Sequence, residues 1–127
     1  MILNGFVSET AQRLSAVLAE LQTDEAVETA VLCTSDGLPI NGQAANISHI
    51  AAVAGFLLSA ANQSGALLGR KGCQEVTVHL ADETFLVCWP FTAGKTGLIL
   101  IVLFKQKPAY KRLLTQTIRS VKQAVEE

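Results

Sequence analysis

A short loop in the C-terminal half of the chain comes nearest to a known chemical motif. Residues 92–97 read TAGKTG, and Gly94-Lys95-Thr96 matches the end of the phosphate-binding loop GxxxxGK[ST]. In that motif the first glycine lies five residues before the second. The corresponding position of this chain is Trp89. The motif is also followed by a helix whose N-terminal amides bind phosphate, whereas a strand is predicted after Gly97. The pattern favours a hairpin loop with one exposed lysine, and no cofactor is expected.

Acid, base and thiol side chains occur near one another in the sequence without forming a recognisable catalytic set. His79 and Glu75 share one face of a predicted strand, and Asp82 and Glu83 follow in the next turn. They could form an acid–base pair, but such residues more often form a solvated face. Cys88 could be a reactive thiol, yet nothing near it would lower its pKa, so a buried cysteine is favoured. We therefore predict that the chain is not an enzyme.

The histidines and cysteines indicate neither a metal site nor a disulfide framework. Two histidines, His49 and His79, are too few and too scattered to suggest a zinc site. Three cysteines, Cys33, Cys73 and Cys88, form no CxxC pair, as expected for reduced thiols in a cytoplasmic protein. The first residues, MILNGFVSETAQRL, make a poor signal peptide because they lack a basic start and a long apolar segment.

Composition limits the classes of partner that the chain could bind. Its 127 residues favour a single domain over residues 1–127. The net charge of −1, without a run of like charges, gives no support for nucleic-acid binding. Half of the residues are apolar and 17% are charged, which is richer in apolar residues than a typical solvated monomer. Together with the missing catalytic set, this composition favours an interaction protein.

The hydrophobic pattern predicts an α+β chain with the element order α-β-β-α-β-β-β-α. The predicted helices are Ser8–Gln22, Ile47–Leu68 and Pro108–Glu127, and the predicted strands are Glu28–Thr34, Leu38–Ile40, Cys73–Leu80, Thr84–Phe91 and Gly97–Phe104. Turns at residues 35–37 and 81–83 make the sheet largely antiparallel. Pro39 places the second strand at a sheet edge, because proline cannot donate to a ladder. The last strand is apolar on both faces and is therefore predicted to be central.

The middle helix has an unusual surface, because no Asp, Glu, Lys or Arg occurs between Gly37 and Gly69. Asn46 is predicted to cap its start, and Gly69 to end it. One face could pack on the sheet and contains Ile47, Ile50, Ala54, Leu57, Leu58, Ala61 and Leu68. The roughly opposite face contains His49, Ala52, Val53, Phe56, Ala60, Gln63 and Leu67. A surface helix of a monomer should carry charge on that opposite face.

This uncharged face could be covered either by the chain itself or by another molecule. The chain supplies only two other predicted helices, and its two-sided central strand needs at least one of them on the other face of the sheet. An exposed apolar patch of this extent usually marks an interface. The small residues Ala52, Gly55, Ser59 and Ala60 would permit another helix to approach closely. We therefore predict that another protein molecule covers this face.

A membrane span is not expected from the same helix. Its apolar run, Ile50–Ala61, has twelve residues, whereas a span needs about 20. Polar residues flank the run, with Asn46 and Ser48 before it and Asn62 and Gln63 after it. We therefore predict no membrane insertion.

The order of elements and three segments of the chain resemble the Roadblock family of dynein-associated light chains and their bacterial and archaeal MglB-like relatives. These segments are VETAVLCTSDGLPI, ISHIAAVAGFLLSAA and GLILIVLF, and the resemblance covers about Leu14 to Val125. It implies a profilin-like fold with a five-stranded antiparallel sheet in the order 2-1-5-4-3. One helix is expected on one face of that sheet and two on the other.

The same resemblance implies a homodimer, with the middle helices paired and the third strands joined edge to edge. That arrangement adds Glu75, Thr77 and His79 to the predicted interface. Family members bind Ras-like small GTPases, or scaffold complexes that do, and some influence nucleotide hydrolysis or exchange without being enzymes alone. The expected function is thus a homodimeric, non-catalytic scaffold that binds a Ras-like small GTPase.

Two alternatives to this expectation stay open at the level of the sequence. The same dimer could serve another client, such as a motor of the dynein type, a signalling protein or a small ligand. An enzyme would have to use Cys88, His79 or the Lys95 loop. The resemblance supplies no short signature for GTPase-contact residues, and none is assigned.

Overall fold

The computed structural model describes residues 2–3, 6–42, 45–106 and 110–126, and of residues 2–3 and 6–8 the backbone alone. The helices are α1 (Ser8–Leu21), α2 (Ile47–Leu67) and α3 (Lys111–Glu126). The strands are β1 (Ile2–Leu3), β2 (Phe6–Val7), β3 (Val27–Thr34), β4 (Pro39–Gly42), β5 (Val76–His79), β6 (Phe85–Ala93) and β7 (Thr96–Phe104). All eight predicted elements are present, and the short β1–β2 hairpin is an addition to them.

Five strands form one antiparallel sheet in the order β4-β3-β7-β6-β5. Counted from β3, this is the predicted order 2-1-5-4-3, which is confirmed. The strand that carries Pro39 lies at one edge, and the fully apolar β7 lies at the centre, both as predicted. β5 forms the other edge and pairs only with β6 within the described residues.

Each face of the sheet has its own hydrophobic core because successive side chains of a strand point to opposite faces. Helices α1 and α3 cover the larger core, which contains Leu14 and Leu18 of α1 and Leu98 and Leu100 of β7. Helix α2 covers the smaller core, to which β7 contributes Ile99 and Ile101. The predicted division of one helix against two is therefore confirmed.

The two hairpin turns that were predicted from glycine are formed by backbone that glycine favours. Gly37 has φ of 90°, its amide donates to the Thr34 carbonyl, and the Leu38 amide donates to the Thr34 hydroxyl. Gly94 has φ of 61° in the turn between β6 and β7. A strand rather than a helix follows that turn, so the TAGKTG segment lacks the helix N-terminus that phosphate binding requires.

Several predicted element ends differ from the observed ones because local hydrogen bonds compete with the regular ladder. β5 begins at Val76 rather than at Cys73, whose amide donates to Asn62 Oδ1 at 2.8 Å. The same strand ends before Leu80, whose amide donates to the Thr84 carbonyl and closes the turn. The predicted start of α3 at Pro108 lies outside the described residues, within which the helix begins at Lys111.

The end of α2 corrects one residue of the predicted inner face. Leu68 does not pack on the sheet but forms the C-cap, with 77% of its surface exposed. Gly69 follows with φ of 71°, and the Arg70 amide donates to the Gly65 carbonyl at 2.8 Å. This hydrogen bond is the mark of a Schellman motif, so the predicted stop at Gly69 is confirmed. At the other end, Asn46 occupies the N-cap position, but its side chain makes no capping hydrogen bond.

Candidate functional site

The candidate site is built on α2, which rests on the sheet through a narrow contact. Its buried residues are Ala51, Ala54 and Leu58. Two of these three side chains are alanines, so the helix axis lies close to the sheet. All three fall in the first twelve residues of α2, and no residue after Leu58 is buried. The C-terminal half of this uncharged helix therefore has little cover from its own chain.

The turn between β3 and β4 fixes the position of α2 by a close backbone contact. A Cβ atom built on Gly55 would lie 3.0 Å from the Gly37 Cα, and one on Gly37 would lie 3.1 Å from the Ala51 carbonyl oxygen. Both glycines are therefore needed for this packing. The structure thus places Gly55 at a contact within the chain, rather than at the approach of a second helix for which it was predicted.

The side of α2 that points away from the sheet is the outer face, defined by His49, Ala52, Val53, Phe56, Ala60, Gln63 and Leu67. All seven residues are exposed, as the helical spacing predicted for a side that does not pack on the sheet. Exposure reaches 49% for Val53, 70% for Phe56 and 89% for Leu67. Monomeric proteins rarely leave an aromatic ring and two aliphatic side chains exposed on one uncharged helix face.

Sheet residues that the sequence interpretation did not single out extend this apolar surface beside α2. A cavity of about 170 Å³ is lined by Asn46, His49, Ile50, Val53 and Leu86. An adjoining cavity of about 290 Å³ is lined by Glu28, Thr29, Asn46, Ile50, Leu86, Ile101 and Leu103. Strand alternation alone would have placed Leu86 and Leu103 on the α2 side, because Cys88 and Ile101 on the same strands face that core.

The edge strand β5 carries the other predicted interface residues. Thr77 and His79 are exposed, whereas Glu75 precedes the strand and is half-buried. These three side chains project toward the α1 and α3 side of the sheet, while Val76 packs in the α2 core. The structure therefore does not place them on one surface with the outer face of α2. Among the described residues no strand pairs with the outer edge of β5, along which a second sheet could continue.

Glu75 is held by hydrogen bonds from two hydroxyl groups. Both the Tyr110 hydroxyl and the Thr77 hydroxyl donate to Glu75 Oε2. Burial raises the pKa of Glu75, but these two hydrogen bonds and the nearby charge of Lys111 together outweigh it and lower the pKa below its usual value. Burial and the bond to Glu75 raise the pKa of Tyr110. The carboxylate thus fastens the start of β5 to the segment before α3.

His79 does not form an acid–base pair with Glu75, because it has other partners. Its ring stacks on Phe85 with centroids 4.1 Å apart. Its Nε2 atom lies 3.1 Å from Glu83 Oε2, and both side chains are largely exposed. A weak surface pair of this kind is typical of a solvated strand end. The predicted solvated face is the arrangement that the structure contains.

The two buried cysteines have the chemistry of apolar core residues. Burial raises the pKa of Cys33 to about 12 and that of Cys88 to about 11, so both are neutral thiols at physiological pH. Cys73 is half-buried and its Sγ donates to the Glu75 carbonyl at 3.2 Å. All three cysteines are free in this structure. Among the described residues, no cluster of three or more His, Cys, Asp or Glu side chains could hold a metal ion.

Helix α2 has 21 residues, and by length and composition alone it could cross a membrane. Within the described ranges it is the one helix with this property. The prediction from the sequence rested on its twelve-residue apolar run. One such helix is weak evidence, because core helices of other folds have the same composition. Here Ala51, Ala54 and Leu58 attach the helix to the sheet.

The fold, with its single uncharged helix on one face and two helices on the other, defines a Roadblock-type domain. Residues 13–104 match the family model described as the Roadblock/LC7 domain. The chain therefore belongs to the Roadblock/LC7 family, and the resemblance predicted from the sequence is confirmed.

Solved structures agree with this assignment. The gliding protein MglB from Thermus thermophilus superposes with a TM-score of 0.75 at 19% identity, over 95% of this chain and 94% of that one. An MglB structure with a tetrameric arrangement gives the same TM-score and identity, over 95% and 93% of the two chains. A Roadblock/LC7 domain from Streptomyces avermitilis superposes with a TM-score of 0.68 at 28% identity, over 88% and 93%. No curated protein matches the sequence at a significant level.

Proposed function

We propose that this chain is a non-catalytic, homodimeric scaffold of the cytoplasm that binds a Ras-like small GTPase and influences its nucleotide hydrolysis or exchange. The observation that carries the proposal is the uncharged outer face of α2, with Phe56 70% exposed at its centre, on a Roadblock/LC7 domain. An exposed apolar surface of this kind usually marks a site where a partner binds.

A second copy of the chain is the partner that we propose for the outer face. A two-fold interface is self-complementary, so a face of small and apolar residues can pack on itself. Phe56 lies near the middle of the 21-residue helix, and the two α2 helices would therefore cross close to this residue. The unpaired edge of β5 gives the same two-fold pair a second contact through backbone hydrogen bonds. Self-association is also known for an MglB with a tetrameric arrangement.

A regulatory rather than a catalytic role is supported by the chemistry of the polar side chains. The two buried thiols are held neutral by their raised pKa values, and the Lys95 loop leads into a strand. His79 and Glu75 are occupied by different partners. The GTPase client comes from the resemblance to the Roadblock family, in which partners of this type recur.

The proposal is tested by binding of the purified protein to Ras-like small GTPases of its own organism. Each GTPase is loaded with GDP or with a non-hydrolysable GTP analogue, and binding is followed by calorimetry. We expect one GTPase to bind in a nucleotide-dependent manner, and hydrolysis or exchange to change when the protein is added. If the protein is dimeric but binds no such GTPase in either nucleotide state, the client assignment is wrong.

A further inference from the structure

A second concave surface lies on the face of the sheet opposite to α2. It is a cavity of about 380 Å³ between β6 and α3, lined by Trp89, Phe91, Thr115, Ile118, Arg119 and Lys122. Neither the outer face of α2 nor the edge residues of β5 contribute to it. We call this surface the β6–α3 groove.

The groove is open because β5 is too short to cover the full length of β6. The pairing of the two strands ends where Val76 faces Cys88, whereas β6 continues to Ala93. Within the described residues, the outer edge of β6 from Trp89 onward therefore has no strand beside it. Trp89 and Phe91 point to the α3 side and are only half-buried, since α3 covers them from one side alone.

The helix that forms the other wall of the groove is cationic. The exposed residues of α3 include Arg112, Arg119 and Lys111, with Lys122 half-buried. Glu126 is the single acidic residue between 111 and 126, and its Oε1 accepts a hydrogen bond from the Gly94 amide at 3.0 Å. In the described part of the chain, no carboxylate forms an ion pair with Arg119 or Lys122. The groove thus combines two half-buried aromatic rings with two positive charges that no described carboxylate pairs with.

We propose that the β6–α3 groove binds an acidic peptide segment of a partner protein. One apolar side chain of the segment packs among Trp89, Phe91 and Ile118, and carboxylates beside it pair with Arg119 and Lys122. The charge of the groove is complementary to such a segment, and charge-assisted hydrogen bonds to guanidinium are strong and directional. A concave site fits one inserted side chain, whereas a lipid surface is contacted by apolar residues that protrude. The groove and the outer face of α2 are on opposite faces, so both can be occupied at once.

Trp89 makes the test direct, because it is the one tryptophan of the chain. The probe is a synthetic peptide of Asp and Glu residues with a central Leu-Phe pair, added to the full chain while tryptophan emission is recorded. We expect a saturable change of emission that weakens as salt is added. Arg119→Glu and Lys122→Glu should each weaken binding roughly tenfold, because a carboxylate of the peptide would then face a negative charge. Arg70→Glu, an exposed cation just after α2, is the matched control and should bind like the wild type.

Other outcomes would overturn the proposal. A wild type without saturable binding, or variants at 119 and 122 that bind as tightly as the wild type, would show that the groove is not a site for acidic peptides. The proposal is also wrong if vesicles containing phosphatidylserine shift the tryptophan emission and the peptide does not. A peptide with alanines in place of Leu-Phe should bind more weakly, and equal binding would contradict the inserted side chain. If Lys122→Glu fails to fold by circular dichroism, the exposed Arg119→Glu decides the result.

Discussion

At the scale of single residues, the Glu75 carboxylate and the two buried thiols serve the fold. The Glu75 carboxylate accepts from Tyr110, which lies 35 residues further along the chain. Sequence pattern could not predict that pair, because strand and helix periods indicate the face on which a residue lies but not the distant polar group that it meets. The sequence did predict the burial of Cys88, and Cys33 is buried as well.

Glu75 should make the stability of the protein depend on pH. Its pKa is lower in the folded state, so its stabilising effect is complete above the pKa of the unfolded chain and is lost as pH falls through the folded value. The glutamine of Glu75→Gln does not titrate, and the substitution should lower the unfolding free energy by about 1 kcal/mol at neutral pH. The difference from the wild type, measured by urea unfolding, should shrink as the solution is acidified. A difference that stays constant with pH, or that Glu28→Gln on β3 reproduces, would contradict this role.

The three cysteines should differ in reactivity. Cys33 and Cys88 are buried with pKa values raised to about 12 and 11, and thiol reagents attack the thiolate. Cys73 is only half-buried and should be labelled first in the native protein at mildly alkaline pH. Mass spectrometry of partially labelled protein identifies the modified residue. If Cys88 is labelled as fast as Cys73, then Cys88 is a reactive thiol, and an enzymatic function has to be considered again.

At the scale of elements, the sequence predicted the helices and strands whose hydrophobic pattern follows one regular period, either helical or alternating. β7 is apolar at every position from Leu98 to Phe104, and this pattern alone placed it at the centre of the sheet. The β1–β2 hairpin was missed because strands of two residues contain no period to detect. The ends of β5 were also misplaced, since side-chain and turn hydrogen bonds decide them. For α2, the helical period separated the inner from the outer face, but the role of Gly55 depends on Gly37 in a distant turn.

The contact between α2 and the β3–β4 turn can be tested by enlarging Gly55. Gly55→Val would place a branched side chain against the Gly37 backbone, where a Cβ atom alone would lie 3.0 Å from its Cα. We expect a loss of about 1–3 kcal/mol of unfolding free energy in chemical denaturation. Gly65→Val is the matched control, because the nearest atom to its Cβ is the Arg70 carbonyl oxygen at 3.9 Å. Equal stabilities of the two variants would mean that the turn does not position the helix.

At the scale of the whole molecule, the two faces of the sheet are unequally covered. Two helices bury the larger core, whereas α2 covers the other core with three buried residues and leaves Phe56 and Leu67 exposed. A second α2 across a two-fold axis would cover the exposed side of α2, so that two helices would lie on each face of the sheet. The sequence predicted an interface at this face from missing charge. Strand alternation would also have placed Leu86 and Leu103 on this side of the sheet, where they line the cavity beside α2.

The mass of the protein in solution tests this account most directly. Light scattering at tens of micromolar should give twice the chain mass of 13.5 kDa for the wild type. Phe56→Glu should give monomers or insoluble protein, because it buries two like charges without partners and removes two rings, each worth about 3–5 kcal/mol when buried. Ala16→Glu, an exposed position on α1, is the control and should stay dimeric. A monomeric wild type, or a soluble Phe56→Glu dimer, would contradict pairing through the outer face of α2.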